Sequence, residues 1–480
     1  MSAVAQDVHP KFESAMQADI QRVFALQQQK ALALRSSNKT ERVAKLKKLR
    51  DAILSRQDAI QQACYADFKK PPVEVDLAEI TPILAEIKHS ISHIGKWMRG
   101  ERVWPTMLMF GTKTRIRYEP KGVSLIIAPW NYPINLTLMP LVSAIAAGCT
   151  AMIKPSEMTP HCSAVLRDII NDVFHEDEVA MFEGEVDVST ALLELPFDHI
   201  FFTGSPAVGK VVMAAAAKHL TSVTLELGGK SPVIVDESAD IKKAAQSVMW
   251  GKFSNCGQTC IAPDYLYVHE SVKDAFIKAC REQLEHAYGK DTKASPDFAR
   301  VVNARHYGRI KSLMDEALDN GATLLAGGDT DSEDNFIAPT LIGDIPDNTR
   351  IMEEEIFGPV LPVLSFNDIN QVVQRINAAP KPLALYIYTK NPQQAERVLT
   401  QTSAGGSCIN SCVVQYLHIN APFGGVNNSG IGNSHGVWGF KAFSHERTVI
   451  ENKFSVSHWL APPYNNFVKR MIAITLATFK

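Results

Sequence analysis

The sequence predicts an α/β protein that contains a mostly parallel β-sheet. Short apolar runs of strand length recur after residue 122, and most are separated by stretches long enough for a helix. This alternation is typical of βαβ units. The predicted strands of this first series span residues 123–127, 151–153, 179–182, 199–203, 223–227 and 233–235.

A second series with the same alternation follows residue 264. Its predicted strands span residues 265–268, 323–325, 360–366 and 384–389. Its predicted helices span residues 304–320, 369–378 and 392–400, with a further helix that ends near residue 286.

The first hundred residues are predicted to be mainly helical. Asn38, with Glu41 three residues later, matches a capping box that opens a helix, and a second helical stretch covers residues 77–97. Residues 112–118 alternate polar and apolar side chains, as a half-exposed strand does. The basic residues of this strand are interpreted as a solvated face, with anion binding as the alternative.

Composition is that of an ordinary globular protein. The 480 residues are 46% hydrophobic and 21% charged, and the net charge of -2 gives no support for nucleic-acid binding. Eight cysteines in a chain of this length do not make a disulfide framework. Because no signal peptide is recognised at the start of the sequence, the expected location is the reducing cytoplasm.

Two apolar segments raise the question of membrane contact. Residues 122–153 contain no charged side chain, but prolines and asparagines interrupt them, so we interpret them as buried strands that flank a helix. Residues 457–480 are predicted to be a helical tail, whose apolar end is too short to span a bilayer. We expect the tail to pack on the protein, with peripheral contact to a membrane surface as the alternative.

The strand at residues 199–203 leads into a turn that can bind a phosphate. Ser205 is a natural N-cap and Pro206 suits the first position of a helix. A helix N-terminus that glycines allow a ligand to approach closely is an anion site. The usual G-x-G-x-x-G fingerprint is absent, so an ordinary strand-to-helix turn explains this loop equally well.

Two polar clusters follow other strands of the same predicted sheet. Lys154 and Glu157 offer a cation and a carboxylate that could hold a ribose. Glu226 lies in an apolar run, where desolvation should raise its pKa and suit it to act as a base. An ion-paired structural role is the alternative for Glu226.

Cys260, which follows Gly257 and Gln258, is a candidate nucleophile, although buried structural cysteines are common. Cys256 is interpreted as a packing residue, with a regulatory disulfide as the alternative. Cys256 and Cys260, and likewise Cys408 and Cys412, have the spacing of zinc ligands. A zinc protein is therefore a competing hypothesis, but the two pairs lie far apart in the sequence.

Seven motifs occur in a fixed order along the chain. They are PWNYP at 129–133, IKPSE at 153–157, FTGS at 202–205, LELGGK at 225–230, GQTC at 257–260, EIFGP at 355–359 and PFGG at 422–425. In these motifs the chain resembles the NAD(P)-dependent aldehyde dehydrogenase superfamily. The segments around residues 130–137, 257–265 and 382–386 resemble its class 3 branch, which includes fatty-aldehyde and coniferyl-aldehyde dehydrogenases.

The resemblance implies a fold with a Rossmann-like parallel-sheet cofactor domain, an α/β catalytic domain and a small bridging β-sheet. The NAD-binding domain would comprise residues 1–111 and 119–227, and the catalytic domain residues 228–440. Residues 112–118 and 441–456 would be bridging strands that support a homodimer, and residues 457–480 the helical tail.

The resemblance also assigns chemical roles. Cys260 would attack the aldehyde, Asn131 and the Cys260 backbone N–H would stabilise the oxyanion, and Glu226 would activate water to hydrolyse the thioester. Glu355 would hold the nicotinamide ribose, although it is also the second candidate base. No metal is implied.

The implied cofactor is NAD. Lys154 and Glu157 would bind the adenosine ribose, and the charge of Glu157 disfavours a 2′-phosphate, so we expect NAD over NADP, with use of both as the alternative. The full set of implied cofactor contacts is Trp130, Lys154, Glu157, Thr203, Gly204, Ser205, Val208, Gly209, Leu227, Glu355 and Phe357.

The predicted reaction is the oxidation of an aldehyde to the carboxylic acid. Apolar side chains such as Trp130 and Tyr132 suggest a medium-chain, long-chain or aryl aldehyde as substrate. A CoA-acylating relative, which passes the thioester to a thiol, and a non-catalytic protein of this fold are the alternatives. The presence of both Cys260 and Glu226 argues against each of them.

Overall fold

A computed structural model of the chain describes residues 8–106, 109–346, 348–454 and 461–479. Its strands are β1 (Glu101–Val103), β2 (Thr112–Pro120), β3 (Val123–Ile127), β4 (Thr150–Lys154), β5 (Val179–Met181), β6 (His199–Gly204), β7 (Ser222–Leu227), β8 (Pro232–Val235), β9 (Tyr265–His269), β10 (Thr323–Ala326), β11 (Thr330–Asp331), β12 (Phe336–Ile337), β13 (Thr340–Gly343), β14 (Val360–Phe366), β15 (Ala384–Tyr388), β16 (Gly406–Ile409), β17 (Gly430–Ile431) and β18 (Ser444–Asn452).

Helices precede, separate and follow these strands. They are α1 (Val8–Leu34), α2 (Lys39–Leu54), α3 (Gln57–Phe68), α4 (Pro72–Val75), α5 (Thr81–Arg99), α6 (Asn135–Ala147), α7 (Pro160–Val173), α8 (Val186–Leu193), α9 (Pro206–Ala217), α10 (Ile241–Phe253), α11 (Lys273–Tyr288), α12 (Ala304–Asp319), α13 (Arg350–Glu353), α14 (Ile369–Ala378), α15 (Pro392–Gln401), α16 (Gly436–Ala442) and α17 (Asn466–Ala477).

Five strands of the first predicted series, together with the unpredicted strand β17, form a six-stranded sheet in the order β17-β7-β6-β3-β4-β5. All neighbours pair in parallel except β17, which runs antiparallel to β7. The chain moves outward from β3 through β4 to β5 and then returns to place β6 on the other side of β3. This reversal creates a crevice at the carboxyl ends of β3 and β6, where ligands bind in open α/β sheets.

The second series forms a seven-stranded sheet in the order β10-β13-β14-β9-β8-β15-β16. Its neighbours pair in parallel except at β10, which runs antiparallel to β13. Strand β8, the last apolar run of the first series, joins this second sheet. Apolar side chains cover both faces of its central strands, as expected for buried parallel strands.

A three-stranded antiparallel sheet has the order β1-β2-β18. Strand β2 pairs with β18 over nine residue pairs, from Thr112 with Asn452 to Pro120 with Ser444. The predicted alternation of β2 is confirmed: Lys113, Arg115 and Arg117 are exposed. These basic side chains therefore form a solvated face.

Helix α6 fills the apolar segment that raised the question of a membrane span. All of its side chains except one are buried against other parts of the protein. Within the described ranges, no helix is both long enough and apolar enough to cross a membrane.

The amino-terminal helices agree with the prediction in part. The capping box at Asn38 is confirmed, since the Glu41 backbone N–H donates to the Asn38 side chain and the Asn38 N–H donates to the Glu41 carboxylate. The single helix predicted for residues 77–97 is wrong at its start. Helix α4 begins at Pro72, and a π-helical turn, Asp76–Ile80, joins it to α5. This turn holds Glu79 fully buried.

The expected packing of the carboxyl-terminal tail on the protein is also wrong. Val468 is the buried residue of α17, whereas Phe467, Met471, Ile474 and Leu476 are exposed. Apolar residues cover about half of the circumference of α17, so contact along one narrow side of this helix leaves many of them exposed. Residues 455–460 and 480, which include parts of the predicted bridging strand and tail, lie outside the described residues.

A buried ion pair links the amino-terminal helices to the start of α6. Lys70 and Glu79 are both fully buried, with Lys70 Nζ 2.9 Å from Glu79 Oε1. The second oxygen of Glu79 accepts from the Asn135 backbone N–H at 2.9 Å. Lys70 also lies 3.8 Å from the centre of the Tyr132 ring, so this pair helps to hold the segment that contains Asn131.

We predict that Lys70→Met strongly destabilises the protein, because it leaves the Glu79 carboxylate buried without its cation. Loss of one partner of a buried pair typically costs about 3–5 kcal/mol. The thermal unfolding midpoint should therefore fall well below that of the wild type, and the double variant Lys70→Met/Glu79→Gln should recover part of the loss.

Lys69→Met is the matched control. Lys69 is the preceding residue and pairs with Asp334 at the surface, where an ion pair is worth about 1 kcal/mol or less. Equal midpoints for the two single variants would contradict the importance of the buried pair.

Candidate active site

The carboxyl ends of four neighbouring strands gather most of the predicted site residues at one edge of the six-stranded sheet. Thr203 and Gly204 end β6, Glu226 and Leu227 end β7, and Lys154 ends β4. Trp130 and Asn131 follow β3, which lies between β6 and β4. The predicted cofactor contacts of the first half of the chain therefore lie at the crevice where the strand order reverses.

The turn between β6 and α9 has the predicted capping geometry. The Val208 N–H donates to Ser205 Oγ at 3.4 Å, and Pro206 is the first helical residue. A Cβ at Gly209 would lie 2.7 Å from the Leu227 side chain, so glycine is required for α9 to pack this closely on β7. Val208 is exposed, which leaves an apolar surface beside a helix N-terminus.

Lys154 and Glu157 form an ion pair at the end of β4. The buried Lys154 Nζ donates to Glu157 Oε2 and to the Pro155 carbonyl oxygen, both at 2.9 Å. Partial burial is the largest single influence and opposes the charge of Glu157. The hydrogen bond from Lys154, the Glu157 backbone N–H and the charge of Lys154 together outweigh it and lower the pKa of this carboxyl. With the glycine-dependent turn at α9, an ionised carboxylate here gives an edge whose residues fit a dinucleotide.

The segment before Cys260 has an unusual backbone. Asn255, Cys256 and Gly257 have φ values of 54°, 55° and 74°, three consecutive residues in the left-handed region. Such strain persists only where the surroundings impose it. A Cβ at Gly257 would collide with the carbonyl oxygen of Gly358, so this turn lies directly against the segment that carries Glu355 and Phe357.

The Gln258 side chain fixes this turn. Its amide donates to the carbonyl oxygens of Asn255 at 3.1 Å and Arg300 at 3.0 Å, and its oxygen accepts from the Val302 N–H at 2.9 Å. Cys256 is fully buried in the core of the second sheet, which agrees with a packing role. The turn thus separates Cys256, which faces the core, from Cys260, which is half-buried.

Cys260 lies between two carboxyl groups. Burial, and then the charges of Glu355 and Glu226, raise the pKa of its thiol to about 12, while the backbone N–H groups of Cys260 and Ile261 act in the opposite direction. The thiol is therefore protonated at neutral pH, and reaction as a nucleophile requires its proton to be removed. The two carboxyls are close enough to influence that step.

The Asn131 amide is held in a fixed orientation. It donates one hydrogen bond to the Gln258 carbonyl oxygen at 2.9 Å, and its own backbone carbonyl accepts from the Asn255 side chain at 2.9 Å. The amide is 3% exposed. An amide has two N–H bonds, and this hydrogen bond uses one of them.

The expected rise in the pKa of Glu226 is present. Burial raises the pKa of this carboxyl to about 8, and a hydrogen bond from Ser434 Oγ to Oε1 at 3.0 Å limits the rise. Oε2 is buried and has no hydrogen-bond partner among the residues that the structure describes. The partner of Glu226 is thus a neutral hydroxyl, which disfavours the ion-paired alternative.

Glu355 is the second buried carboxyl. Burial and the charge of Asp264 raise its pKa to about 8, and the Gly229 N–H acts in the opposite direction. A Cβ at Gly228 would collide with the Glu355 carboxylate, so the glycine pair after β7 allows Glu355 to lie close to the end of that strand. Cys260 is therefore influenced by one carboxyl from strand β7 and one from the loop before β14.

Several residues that sequence reasoning missed hold Glu355 in place. Arg309 donates to the carbonyl oxygens of Glu355 at 3.1 Å and Ile356 at 2.6 Å, and Asp264 accepts from the Ile356 N–H at 2.9 Å. Lys230 pairs with Asp264. Lys230 and Asp264 lie in segments that the sequence analysis had marked, whereas Arg309, on α12, carries no sequence signal.

Trp130 and Phe357, both predicted cofactor contacts, lie together. Their rings meet edge to face with centres 5.3 Å apart, and His306 packs on Trp130 at 4.9 Å. Burial lowers the pKa of His306 to about 4, so this imidazole is neutral. His306 was not predicted, and the sequence around it gives no signal.

The zinc hypothesis finds no support in the described part of the chain. No group of three or more His, Cys, Asp or Glu side chains there is arranged to hold a metal ion. Cys408 donates to the Gln415 side chain at 3.0 Å, and Cys412 donates to the Ser247 carbonyl oxygen at 3.1 Å. These thiols act as hydrogen-bond donors to protein groups.

Comparison with known proteins shows the family of this chain. The sequence profile of the aldehyde dehydrogenase family matches residues 1–449. The chain belongs to the aldehyde dehydrogenase family. Among its relatives, the 4,4'-diaponeurosporen-aldehyde dehydrogenase of Staphylococcus aureus is 42% identical, with 94% of this chain and 96% of the relative covered. Aldehyde dehydrogenase family 3 member A2 of Rattus norvegicus is 41% identical, with 85% of this chain and 84% of the relative covered.

A solved structure agrees with this assignment. The substrate-bound state of Staphylococcus aureus AldH has a TM-score of 0.92 and 40% identity, and the match covers 95% of this chain and 99% of that one. The predicted fold and the resemblance to the class 3 branch are therefore confirmed. This aldehyde dehydrogenase is an enzyme that oxidises an aldehyde to the acid with NAD(P).

We predict that Gly257→Ala inactivates this aldehyde dehydrogenase. The added Cβ meets the Gly358 carbonyl oxygen and must displace either the Cys260 turn or the Glu355 segment. A displacement of this kind at a reacting group typically lowers the rate by about a hundredfold. Steady-state oxidation and the rate of Cys260 alkylation should both fall.

Gly289→Ala is the matched control. Gly289 has a φ of 76°, close to that of Gly257, but no atom lies within 4 Å of an added Cβ. This variant should lose about 1–3 kcal/mol of stability from backbone strain and keep its activity. Full activity of Gly257→Ala would show that the close contact with Gly358 is dispensable.

Proposed function

We propose that the reaction proceeds through a covalent thioester on Cys260 and that Glu226 is the base that hydrolyses it. The observation that carries this proposal is the position of Cys260 between two desolvated carboxyl groups, one of which has a buried oxygen without a partner in the described residues. The unpartnered oxygen, Glu226 Oε2, has the lone pair that a general base needs.

In the first half of the reaction, Cys260 loses its proton and Sγ attacks the aldehyde carbonyl carbon. The carbonyl oxygen then carries the negative charge. The second N–H of the Asn131 amide and the Cys260 backbone N–H, which already lies beside Sγ, would donate to this oxygen. One such donor is typically worth about 3 kcal/mol in the transition state.

NAD(P) supplies the hydride acceptor when it is bound. Lys154 and Glu157 would hold its adenosine ribose, and the turn from Gly204 to Gly209 would approach the pyrophosphate. Glu355 and Phe357 would contact the nicotinamide end, with Trp130, Thr203 and Leu227 completing the set. Glu157 is ionised and would repel a 2′-phosphate, which supports a preference for NAD.

In the second half of the reaction, Glu226 takes a proton from water and the resulting hydroxide attacks the thioester. The carbon–sulfur bond breaks, the acid leaves and Cys260 is regenerated. Glu355 is the less suitable base, because the Gly229 N–H already bonds to its carboxylate. A CoA-acylating reaction is the second candidate, but a base with a free oxygen beside the thioester favours hydrolysis.

The proposed substrate is an apolar aldehyde, either aliphatic of medium or long chain or aryl. Support comes from Tyr416, which is close enough to Cys260 to sense its charge, and from Phe423, whose ring lies 5.0 Å from that of Tyr416. The related Staphylococcus aureus enzyme is named for 4,4'-diaponeurosporen-aldehyde. Aromatic walls suit an apolar chain or ring.

We further propose a cytoplasmic homodimer. Strand β18 is the outer strand of its sheet, so its open edge is available for pairing with a second copy. The exposed apolar residues of α17 support peripheral contact of the tail with a membrane surface. The domain boundaries given above are part of the same proposal.

We predict that Cys260→Ala abolishes aldehyde-dependent reduction of NAD across a panel of hexanal-like, fatty and cinnamyl-type aldehydes. The rate should fall by about a thousandfold or more, because no nucleophile remains to form the thioester. Absorbance of the reduced cofactor measures this rate directly.

Cys408→Ala is the matched control, because Cys408 is the other half-buried thiol of the described chain. It should retain activity. Undiminished activity of Cys260→Ala would refute the covalent mechanism, whereas product formation that depends on added coenzyme A would favour the acylating alternative.

A further inference from the structure

The two oxygens of Glu226 have different surroundings. Oε1 accepts a hydrogen bond from Ser434 Oγ at 3.0 Å, whereas Oε2 is buried and unpartnered within the described residues. Glu226 itself is fixed by its strand, where it pairs with Thr203 of β6 and with Gly430 of β17. A carboxylate held at one oxygen presents the other to the site.

The position of Ser434 is fixed by its backbone. Its N–H donates to the Phe423 carbonyl oxygen at 2.7 Å, and its own carbonyl accepts from the Phe423 N–H at 3.3 Å. The buried Glu86 carboxylate accepts from the Gly436 N–H at 2.9 Å. Between these two anchors, His435 is held at a φ of 71°, a strained conformation for a histidine.

The Ser434 hydroxyl has one proton and two acceptors within reach, Glu226 Oε1 at 3.0 Å and the Phe423 carbonyl oxygen at 3.2 Å. His435 Nδ1 lies 3.0 Å from Ser434 Oγ, where the Nδ1–H tautomer of the imidazole donates to the hydroxyl oxygen. The proton can serve only one acceptor at a time. The charge of Glu226 therefore decides its direction, since hydrogen bonds to ionised groups are the strongest.

We propose that Ser434 is a positioning residue that makes Glu226 a one-sided base, with Oε1 held by the hydroxyl and Oε2 left to take the proton from water. The inference rests on the proposed role of Glu226. It adds His435 as the group that keeps the hydroxyl oriented.

The hydrogen bonds reorganise without movement of a heavy atom. With Glu226 ionised, the Ser434 hydroxyl donates to Oε1 and accepts from His435 Nδ1–H. With the water proton on Oε2, the Ser434 hydroxyl is free to turn to the Phe423 carbonyl oxygen. Return of that proton to solvent restores the first arrangement, so each turnover is balanced in protons.

The titratable neighbours of Glu226 are Cys260, Tyr416 and, through Ser434, His435. Burial raises the pKa of the Cys260 thiol and of the Tyr416 phenol above their usual values, and lowers that of His435 to about 4. All three are therefore neutral around pH 7. Glu355, the other carboxyl that influences Cys260, also titrates near pH 8, but within the described residues it makes no hydrogen bond with Ser434. A shift of the pH profile of thioester hydrolysis that depends on the Ser434 hydroxyl therefore reports Glu226.

The test compares Ser434→Thr with Ser434→Val, two variants of the same shape that differ by one hydroxyl. Rapid-quench mass spectrometry gives the rate of acyl-enzyme hydrolysis at each pH, and the burst of reduced cofactor gives acylation. Ser434→Val should keep the burst but hydrolyse the acyl-enzyme about tenfold more slowly at neutral pH, since an ionised Glu226 loses its hydrogen bond. Its pH midpoint should move up by about one unit.

Ser434→Thr should restore the midpoint and the rate to near wild-type values. If the pH midpoints of hydrolysis were equal for the Thr and Val variants, the role of Ser434 would be overturned. The role of Glu226 as the base would still stand if Glu226→Gln failed to hydrolyse the acyl-enzyme. Wild-type hydrolysis by Glu226→Gln would instead overturn the proposed base, and the inference with it. Ser429→Ala, in the same loop, should lower stability without moving the midpoint.

Discussion

Desolvation of two carboxyl groups beside one thiol is the physical constraint on which the site depends. Glu226 lies on β7 and Glu355 in the loop between α13 and β14, and both have pKa values raised to about 8, mainly by burial. At neutral pH each is therefore ionised only about one tenth of the time. The low degree of ionisation limits the electrostatic repulsion between the two carboxylates near Cys260. Both groups can still act as bases in mildly alkaline solution, where they become ionised.

Contacts in the surrounding fold hold Cys260 and its neighbours in position. The left-handed turn from Asn255 to Gly257 separates the core residue Cys256 from the half-buried Cys260, and the Gln258 amide donates to the carbonyl oxygens of Asn255 and Arg300. The Tyr132 hydroxyl lies 2.8 Å from Thr259 Oγ1, immediately before Cys260. Polar contacts thus join the segment after β3 to the segment that carries Cys260.

The sequence was informative where function requires particular residue types. Glycines at 204, 209, 228 and 257 are needed for close approach, and their pattern led to the correct strands and turns. Apolar runs located most strands of both sheets, but β13, β16 and β17 were not predicted. The sequence could assign roles to Cys260, Glu226 and Asn131 only through a resemblance to a family. These residues lie far apart in the sequence, and their proximity becomes visible only in the folded chain.

What the sequence could not reveal depends on long-range contacts. Ser434 meets Glu226 across 208 residues of sequence, and Arg309 reaches the Glu355 segment from a helix without any motif. The π-helical turn at Asp76–Ile80 also escapes periodicity, because the same residues fit an ordinary helix. The tail was misjudged because its apolar residues extend around the helix beyond a single contact face.

The raised pKa of Glu226 is the central physical claim, and infrared difference spectroscopy tests it most directly. In a pH titration, the wild-type enzyme should show the carbonyl stretch of a protonated carboxyl at neutral pH, and this band should disappear as the pH passes through about 8. Because Glu355 titrates in the same range, the band should lose about half of its amplitude in the Glu226→Gln variant. Identical titrations of the two proteins in this range would contradict the account.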